Sequence, residues 1–167
     1  MGFLRDKDII GMVGNGMLVP VEFNPKAVTP NGYDLSIDPA SIDVMQEVDL
    51  GALKGRVVYT KEYLKMPKDV MAILHLRSRF SRVGGFGSFG LVDAGFEGKL
   101  QFCIYLPEEV WEHMRTKEDT RMVQIAFYKF DGGGVEKAYA ERSGVFQKKV
   151  ATPEISSWGV IDLERPA

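Results

Sequence analysis

Leu91-Val92-Asp93-Ala94-Gly95-Phe96-Glu97-Gly98-Lys99-Leu100-Gln101-Phe102-Cys103-Ile104-Tyr105-Leu106 is the stretch on which the fold turns. Its second half alternates: Leu100, Phe102, Ile104 and Leu106 fall on one side of an extended chain, Lys99, Gln101, Cys103 and Tyr105 on the other. That spacing predicts a strand with one face in a core and one outside it. Gly95 and Gly98 mark a turn, and Leu91-Val92-Asp93 reads as the opposing arm, so a β-hairpin is expected here.

Working outward, Arg121 to Phe130 alternates in the same way, with Val123, Ile125 and Phe127 opposite Gln124 and Ala126. Val70 to Leu76 is an apolar run of strand length, Arg56 to Thr60 is β-branched and aromatic, and Tyr33 to Ile37 alternates. Short helices are predicted after Asp6, read as an N-cap, and over 77–82 and 107–114, with a glycine-rich loop over 84–90. The 18 glycines and 8 prolines are spread along the chain, which favours many short elements joined by tight turns. The expectation is one mostly β domain over 1–153, a sandwich or small barrel, followed by a tail over 154–167.

Charge and composition narrow the partners. With 21 basic and 23 acidic residues the net charge is -2, so no cationic field is available to attract nucleic acid or an anionic membrane, although a local basic pocket is compatible with it. A single cysteine forms no internal disulfide, and with only two histidines it cannot complete a usual zinc site. No apolar run approaches the roughly 20 residues of a membrane helix. The opening Met-Gly-Phe-Leu-Arg-Asp-Lys-Asp does not read as a signal peptide, and a cytoplasmic location is expected.

The candidates for chemistry each carry two readings. Gly84-Gly85-Phe86-Gly87-Ser88-Phe89-Gly90 has the glycines of a phosphate cradle but not the lysine of a P-loop, and reads better as a connector. Arg77-Ser78 follows a buried strand and offers a guanidinium, a hydroxyl and free N–H groups to an oxyanion; simple helix capping explains the pair equally well. Asp93, at a strand end before a glycine turn, suits a general base held in position, or an ordinary turn aspartate. Asp34 has the same ambiguity. Cys103 reads as a buried strand residue without a neighbouring base, and His75 as a core residue.

The order of these pieces carries more than any one of them. Asn31-Gly-Tyr-Asp-Leu, Leu76-Arg-Ser-Arg-Phe-Ser-Arg, Val92-Asp-Ala-Gly-Phe-Glu-Gly, Thr120-Arg-Met-Val-Gln-Ile-Ala-Phe and Gly144-Val-Phe-Gln-Lys-Lys, in that sequence, resemble the dUTPase and dCTP deaminase superfamily, its archaeal members most. The resemblance runs from Arg5 to about Pro153. It implies a distorted β-barrel or jelly-roll-like subunit, a homotrimer with active sites between subunits, and a deoxynucleoside triphosphate as substrate. By the same resemblance Asp93 activates the attacking water, Phe96 packs on the deoxyribose, and Arg77, Ser78, Arg82, Gln124 and Gln147 contact the substrate. Asp34 matches the aspartate that holds Mg²⁺ through water.

One departure bears on the reaction. Deaminases of the superfamily carry a glutamate in a pattern like Gly-Phe-x-Gly-x-Ile-Thr-Leu-Glu, and counting from Gly95 places Cys103 there. A thiol cannot carry protons back and forth as a carboxylic acid does, and such help is typically worth 10²–10⁴-fold. The residues matching the hydrolytic site do not include that glutamate. The resulting expectation is hydrolysis of dUTP to dUMP and pyrophosphate, assisted by Mg²⁺. dCTP deamination, alone or combined with hydrolysis, is the alternative. Ser143 stands where the family's tail pattern has a lysine; Arg79 in place of the usual small residue and a shortened tail leave a third, a non-catalytic nucleotide-binding relative.

Overall fold

The computed structural model describes residues 2–42, 47–142 and 147–148. The elements run β1 (Gly2–Phe3), α1 (Asp6–Gly14), β2 (Leu18–Val21), β3 (Val28–Thr29), β4 (Gly32–Ser36), β5 (Glu47–Leu50), β6 (Leu53–Tyr59), β7 (Tyr63–Lys65) and β8 (Val70–Leu76). They continue with α2 (Ser78–Ser81), β9 (Phe86–Ser88), β10 (Leu91–Val92), β11 (Glu97–Gly98), β12 (Gln101–Leu106), α3 (Glu108–Thr116), β13 (Arg121–Lys129) and α4 (Tyr139–Arg142).

The strands form three antiparallel sheets rather than one closed barrel among the described residues. The largest has the order β10-β8-β13-β4-β3 with β1 added to β13; a second is β11-β7-β2, and the third β5-β6-β12-β9. The protein is mostly β, as its turn-rich composition implied. The tail over 154–167 and Ser143 lie outside the described residues.

Long-range pairing overrides the expected hairpin. Leu91-Val92 pairs with β8, Glu97-Gly98 with β7, and Gln101–Leu106 with β6 and β9. The three pieces of one stretch therefore belong to three sheets. Register is nonetheless as the alternation predicts: Phe102, Ile104 and Leu106 are buried while Gln101, Cys103 and Tyr105 are only partly covered. Three residues of the expected glycine loop are also strand, because Phe86–Ser88 pairs with β12. Its Phe86 ring stacks on Tyr105 with centroids 4.5 Å apart.

Other local expectations shift for identifiable reasons. Asp6 is the first residue of α1, and Arg5 is its N-cap, donating its main-chain N–H at 3.2 Å and its Nε–H at 2.8 Å to the Asp8 carboxylate. His75 is exposed on the outer side of β8, since Ala72 and Leu74 take the inner one. β4 is buried on both faces over Gly32 to Leu35, where alternation suggested one. Gly32 is required there: its α-carbon lies against the carbonyl of Ile125 on β13, leaving no room for a side chain.

The core is continuous across the sheets, and α3 closes one side of it. Trp111 is fully buried and donates its indole N–H to the carbonyl of Lys54 at 2.8 Å. Arg56 reaches the same helix through Glu108 at 2.9 Å.

One buried carboxylate makes stability depend on pH. Glu62 is 1% exposed and accepts the Ser36 N–H at 2.9 Å, and burial pushes its carboxyl above the ordinary 4.5. A raised folded-state value means that the native protein holds the proton more tightly than the unfolded chain. Stability therefore falls as pH rises from about 4.5 through the folded value and levels off above it. Glu62→Gln keeps an acceptor for Ser36 and should flatten that slope in urea titrations between pH 4.5 and 8. Parallel curves for the two proteins would remove Glu62 as the cause.

Candidate functional site

Three strands of the largest sheet line up one polar row. Gln124 on β13 has Asp34 of β4 as its register partner on one side and His75 of β8 on the other. Laterally paired residues share a face, so these three side chains stand together. Gln124 donates to the Thr29 hydroxyl at 3.1 Å, and a cleft of about 340 Å³ beside it is lined by Phe3, Thr29, Pro30, Asn31, Gln124 and Ala126.

Guanidinium groups gather at the end of this row. β8 stops at Leu76, and Arg77 turns its side chain onto Asp34, with Nε 3.0 Å from the carboxylate, and onto the carbonyl of Arg121 at 2.9 Å. Arg79, two residues on, donates to that same carbonyl at 2.9 Å and lies over the Phe80 ring at 4.6 Å. Arg121 is clasped by Asp119 at 2.7 Å. Burial pushes the Asp34 carboxyl up, against the pull of Arg77, Arg121 and Arg79. Asp119 is held well below the ordinary carboxylate range by its hydrogen bonds from Arg121. Ser78 and Arg82, at the start of α2 and just beyond it, are exposed. A four-residue helix contributes little macrodipole, so anion attraction here rests on the side chains.

Asp93 stands elsewhere. It follows Val92, whose register partner on β8 is Ala72, and Arg77 is five residues further along that strand, about 16 Å away at strand spacing. The Asp93 side chain is exposed and opens into a cleft of about 430 Å³ with Val135, Glu136, Lys137, Tyr139 and Arg142. The loop behind it is firmly held. Gly95 donates to the Pro67 carbonyl at 3.2 Å and adopts φ +81, and a Cβ there would come within 2.6 Å of Ala138. Phe96 is buried, edge-on to Tyr139 with centroids 5.5 Å apart. Gln147 accepts the Glu97 N–H at 3.1 Å and donates to the Gly95 carbonyl at 3.3 Å.

The structure thus divides the sequence-derived residues into two groups. Arg77, Gln124 and Asp34 come together, with Ser78 adjoining; Asp93, Phe96 and Gln147 come together at the other end of β8. Cys103 belongs to neither group. It lies on the outer face of β12 with Val57 and Ser88 as register partners, and burial pushes its thiol up, away from thiolate. Sequence reasoning missed the Arg121–Asp119 clasp, for which the Asp-Thr-Arg spacing was a faint signal. It also missed the Lys137, Tyr139 and Arg142 wall, which has no periodic signature. Among the described residues no cluster of three or more His, Cys, Asp or Glu side chains could hold a metal, and no helix is long and apolar enough to cross a membrane.

The guanidinium groups gathered at one end of β8 could take an anion, and the exposed carboxylate of Asp93 stands at the other end. Comparison with known proteins makes the class specific. A family model described as dCTP deaminase-like matches residues 41–130. A dCTP deaminase of Thermococcus sibiricus is 37% identical over 117 residues, 65% of this chain and 74% of that protein. A probable deoxyuridine 5'-triphosphate nucleotidohydrolase of Sulfolobus islandicus rod-shaped virus 1 is 31% identical over 105 residues, 58% of this chain and 66% of the viral protein. The solved 2'-deoxycytidine 5'-triphosphate deaminase of Agrobacterium tumefaciens superposes with a TM-score of 0.57 at 20% identity, covering 77% of this chain, a likeness of fold. This chain spans about half of that one, 48%. The chain belongs to the dCTP deaminase-like family.

Proposed function

We propose that this protein hydrolyses dUTP to dUMP and pyrophosphate. The observation that carries the reading is the side chain at position 103. Deamination requires a proton carrier where this chain has a half-buried cysteine, and its cross-strand partners there, Val57 and Ser88, supply no carboxylate in its place. Hydrolysis asks for less. A carboxylate orients and deprotonates water, guanidinium groups take the charge that develops on the phosphates, and the leaving group is pyrophosphate. Asp93 suits the first task. Arg77 suits the second, with Gln124, Ser78, Arg82 and Gln147 as further contacts and Phe96 as the packing surface for the sugar.

The separation of Asp93 from Arg77 supports an assembly. A triphosphate held by Arg77 does not extend to Asp93 of the same subunit, about 16 Å along β8. A site completed by Asp93 of a neighbouring copy brings both groups to one substrate, which is the ground for proposing an assembly; that it is a homotrimer is what the family resemblance implies. Exposed apolar side chains on the outer face of the large sheet, Leu91 at 62% and Phe3 at 52%, suit burial between copies. No nucleic acid or membrane partner is proposed, and the reaction is placed in the cytoplasm.

Mg²⁺ fits as an ion carried largely by the phosphates. It commonly takes one or two carboxylates plus substrate oxygens and keeps several waters. Asp34 is the side chain to hold it through water. Its carboxylate is engaged by Arg77, so binding of the triphosphate would have to draw that guanidinium away. When bound, the ion neutralises phosphate charge.

A second reading, dCTP deamination, is favoured by the names of the Thermococcus and Pyrococcus relatives, which are 37% and 34% identical. One incubation separates the two: the purified protein with Mg²⁺ and either dUTP or dCTP, products resolved by ion-exchange chromatography. dUMP from dUTP with dCTP intact is expected. Uridine nucleotides from dCTP would overturn the reading of position 103, and no turnover of either would point to a binding protein.

A further inference from the structure

β4 loses one neighbour before it ends. β3 pairs with Gly32 and Tyr33 alone, so Ser36, at the end of β4, has β13 beside it but no partner on β3. Its main-chain groups are taken by the segment before β7. The Ser36 N–H donates to both carboxylate oxygens of Glu62, at 2.9 and 3.0 Å, and the Ser36 carbonyl accepts the Lys61 N–H at 2.9 Å. Glu62 also reaches Tyr33, whose hydroxyl donates to it across a long 3.5 Å. Its own main chain is fixed: the Thr60 hydroxyl donates to the Glu62 carbonyl at 2.9 Å and accepts the Leu100 N–H at 3.0 Å.

Desolvating a carboxylate that is 1% exposed costs more than burying an apolar side chain of its size. An apolar residue there would instead leave the Ser36 N–H without its acceptor. What the carboxylate achieves is a hold on β4 on both sides of Asp34. Asp34 takes Arg77, with Nε 3.0 Å from its carboxylate, and Arg121, opposite Ser36 in register, offers the carbonyl that Arg77 bonds at 2.9 Å. A second path leaves Tyr33. Its hydroxyl accepts the Asn24 N–H at 3.0 Å, the Asn24 side chain accepts the Lys26 N–H at 3.0 Å, and the Lys26 carbonyl accepts Arg121 Nη1 at 3.1 Å. Glu62 bonds neither guanidinium, yet both rest on residues that it holds.

We propose that Glu62 is a positioning residue for the candidate phosphate site: from the core it fixes the end of β4, and thereby the Asp34–Arg77 pair, through the hydrogen bonds it accepts. The inference rests on the reading of Arg77 and Asp34 as part of that site. It makes the acceptor, rather than the negative charge, the feature that matters.

Two readouts on the whole chain test this: solvent exchange of the Arg77 Nε–H by NMR, and calorimetric affinity for α,β-imido-dUTP with Mg²⁺. The proteins are the wild type, Glu62→Gln, Glu62→Met and Ile104→Ala. Ile104 is fully buried on β12, in a different sheet, and controls for lost stability alone. Glu62→Met should speed exchange about fivefold or more, what one net hydrogen bond is worth. It should weaken the nucleotide about tenfold, the effect of a misplaced charge-assisted contact. Glu62→Gln keeps an acceptor for Ser36 and should stay within about twofold of the wild type in both. Ile104→Ala should lower the melting temperature and move neither. No change in Glu62→Met, no rescue by Glu62→Gln, or an equal effect in Ile104→Ala would each overturn the inference. Should Glu62→Met fail to fold, Tyr33→Phe keeps the ring, removes one donor to Glu62 and should speed the same exchange about twofold; unchanged exchange would then overturn it. Exchange that responds to Glu62 in a protein that binds no nucleotide removes the phosphate site and leaves the positioning role intact.

Discussion

Asp93→Asn should lower dUTP hydrolysis at least about a hundredfold while nucleotide affinity stays within a few-fold of the wild type. The substitution is nearly isosteric and removes the negative charge and with it the capacity to take a proton. The loop that holds residue 93 is secured by main-chain bonds that do not involve its carboxylate: Phe96 N–H to the Asp93 carbonyl at 3.1 Å, Gly95 N–H to Pro67 at 3.2 Å and Tyr139 N–H to Ala94 at 3.0 Å. Geometry therefore survives the change. Single-turnover hydrolysis and titration with α,β-imido-dUTP, measured on the same preparations, separate chemistry from binding. Unchanged turnover would show that another group activates the water, and an equal fall in affinity would make Asp93 a binding residue.

Cys103→Glu is expected to raise dCTP deamination by at least about a hundredfold over the wild-type level, the low end of what a positioned proton carrier contributes. The site is suited to it. The side chain is half-buried on the outer face of β12, and among its cross-strand partners neither Val57 nor Ser88 is charged. A carboxyl placed there is partly desolvated and without a local cation, so its pKa rises toward the range where it can both accept and release a proton. Ammonia release from dCTP, followed beside uridine-nucleotide formation, reads the result. Wild-type protein that already deaminates dCTP would sink the argument from position 103. A folded variant that stays inactive would show that more than this one side chain separates the two activities.

The two predictions concern different parts of the molecule, and they can fail independently. Loss of hydrolysis in Asp93→Asn supports the carboxylate cleft without reference to β12. Gain of deamination in Cys103→Glu supports the counting from Gly95 without reference to which group attacks phosphorus. Each tests one function at one of the places where sequence and structure put a reactive side chain.

Local pattern determined much of this protein. The alternation over 100–106 and 123–127 set which side chains face the core, because a strand has a period of two whatever it pairs with. Val70–Leu76 and the one-turn helix after Arg77 were readable from apolar run length and its interruption. The order of short motifs pointed to the family, and the cysteine at 103 was visible by counting alone. Partner choice was not readable. Leu91-Val92 and Gln101–Leu106 are close in sequence, yet they join β8 and β6, because burial of their apolar faces is satisfied by distant strands rather than by each other. His75 faces outward for the same reason: an apolar run does not say which of its two faces meets the core. Only the assembled sheet set Gln124 between Asp34 and His75, brought Arg77 and Arg79 to one carbonyl and placed Asp93 at the far end of β8. Those arrangements depend on contacts across roughly 20 to 90 positions of chain, beyond the reach of any local pattern.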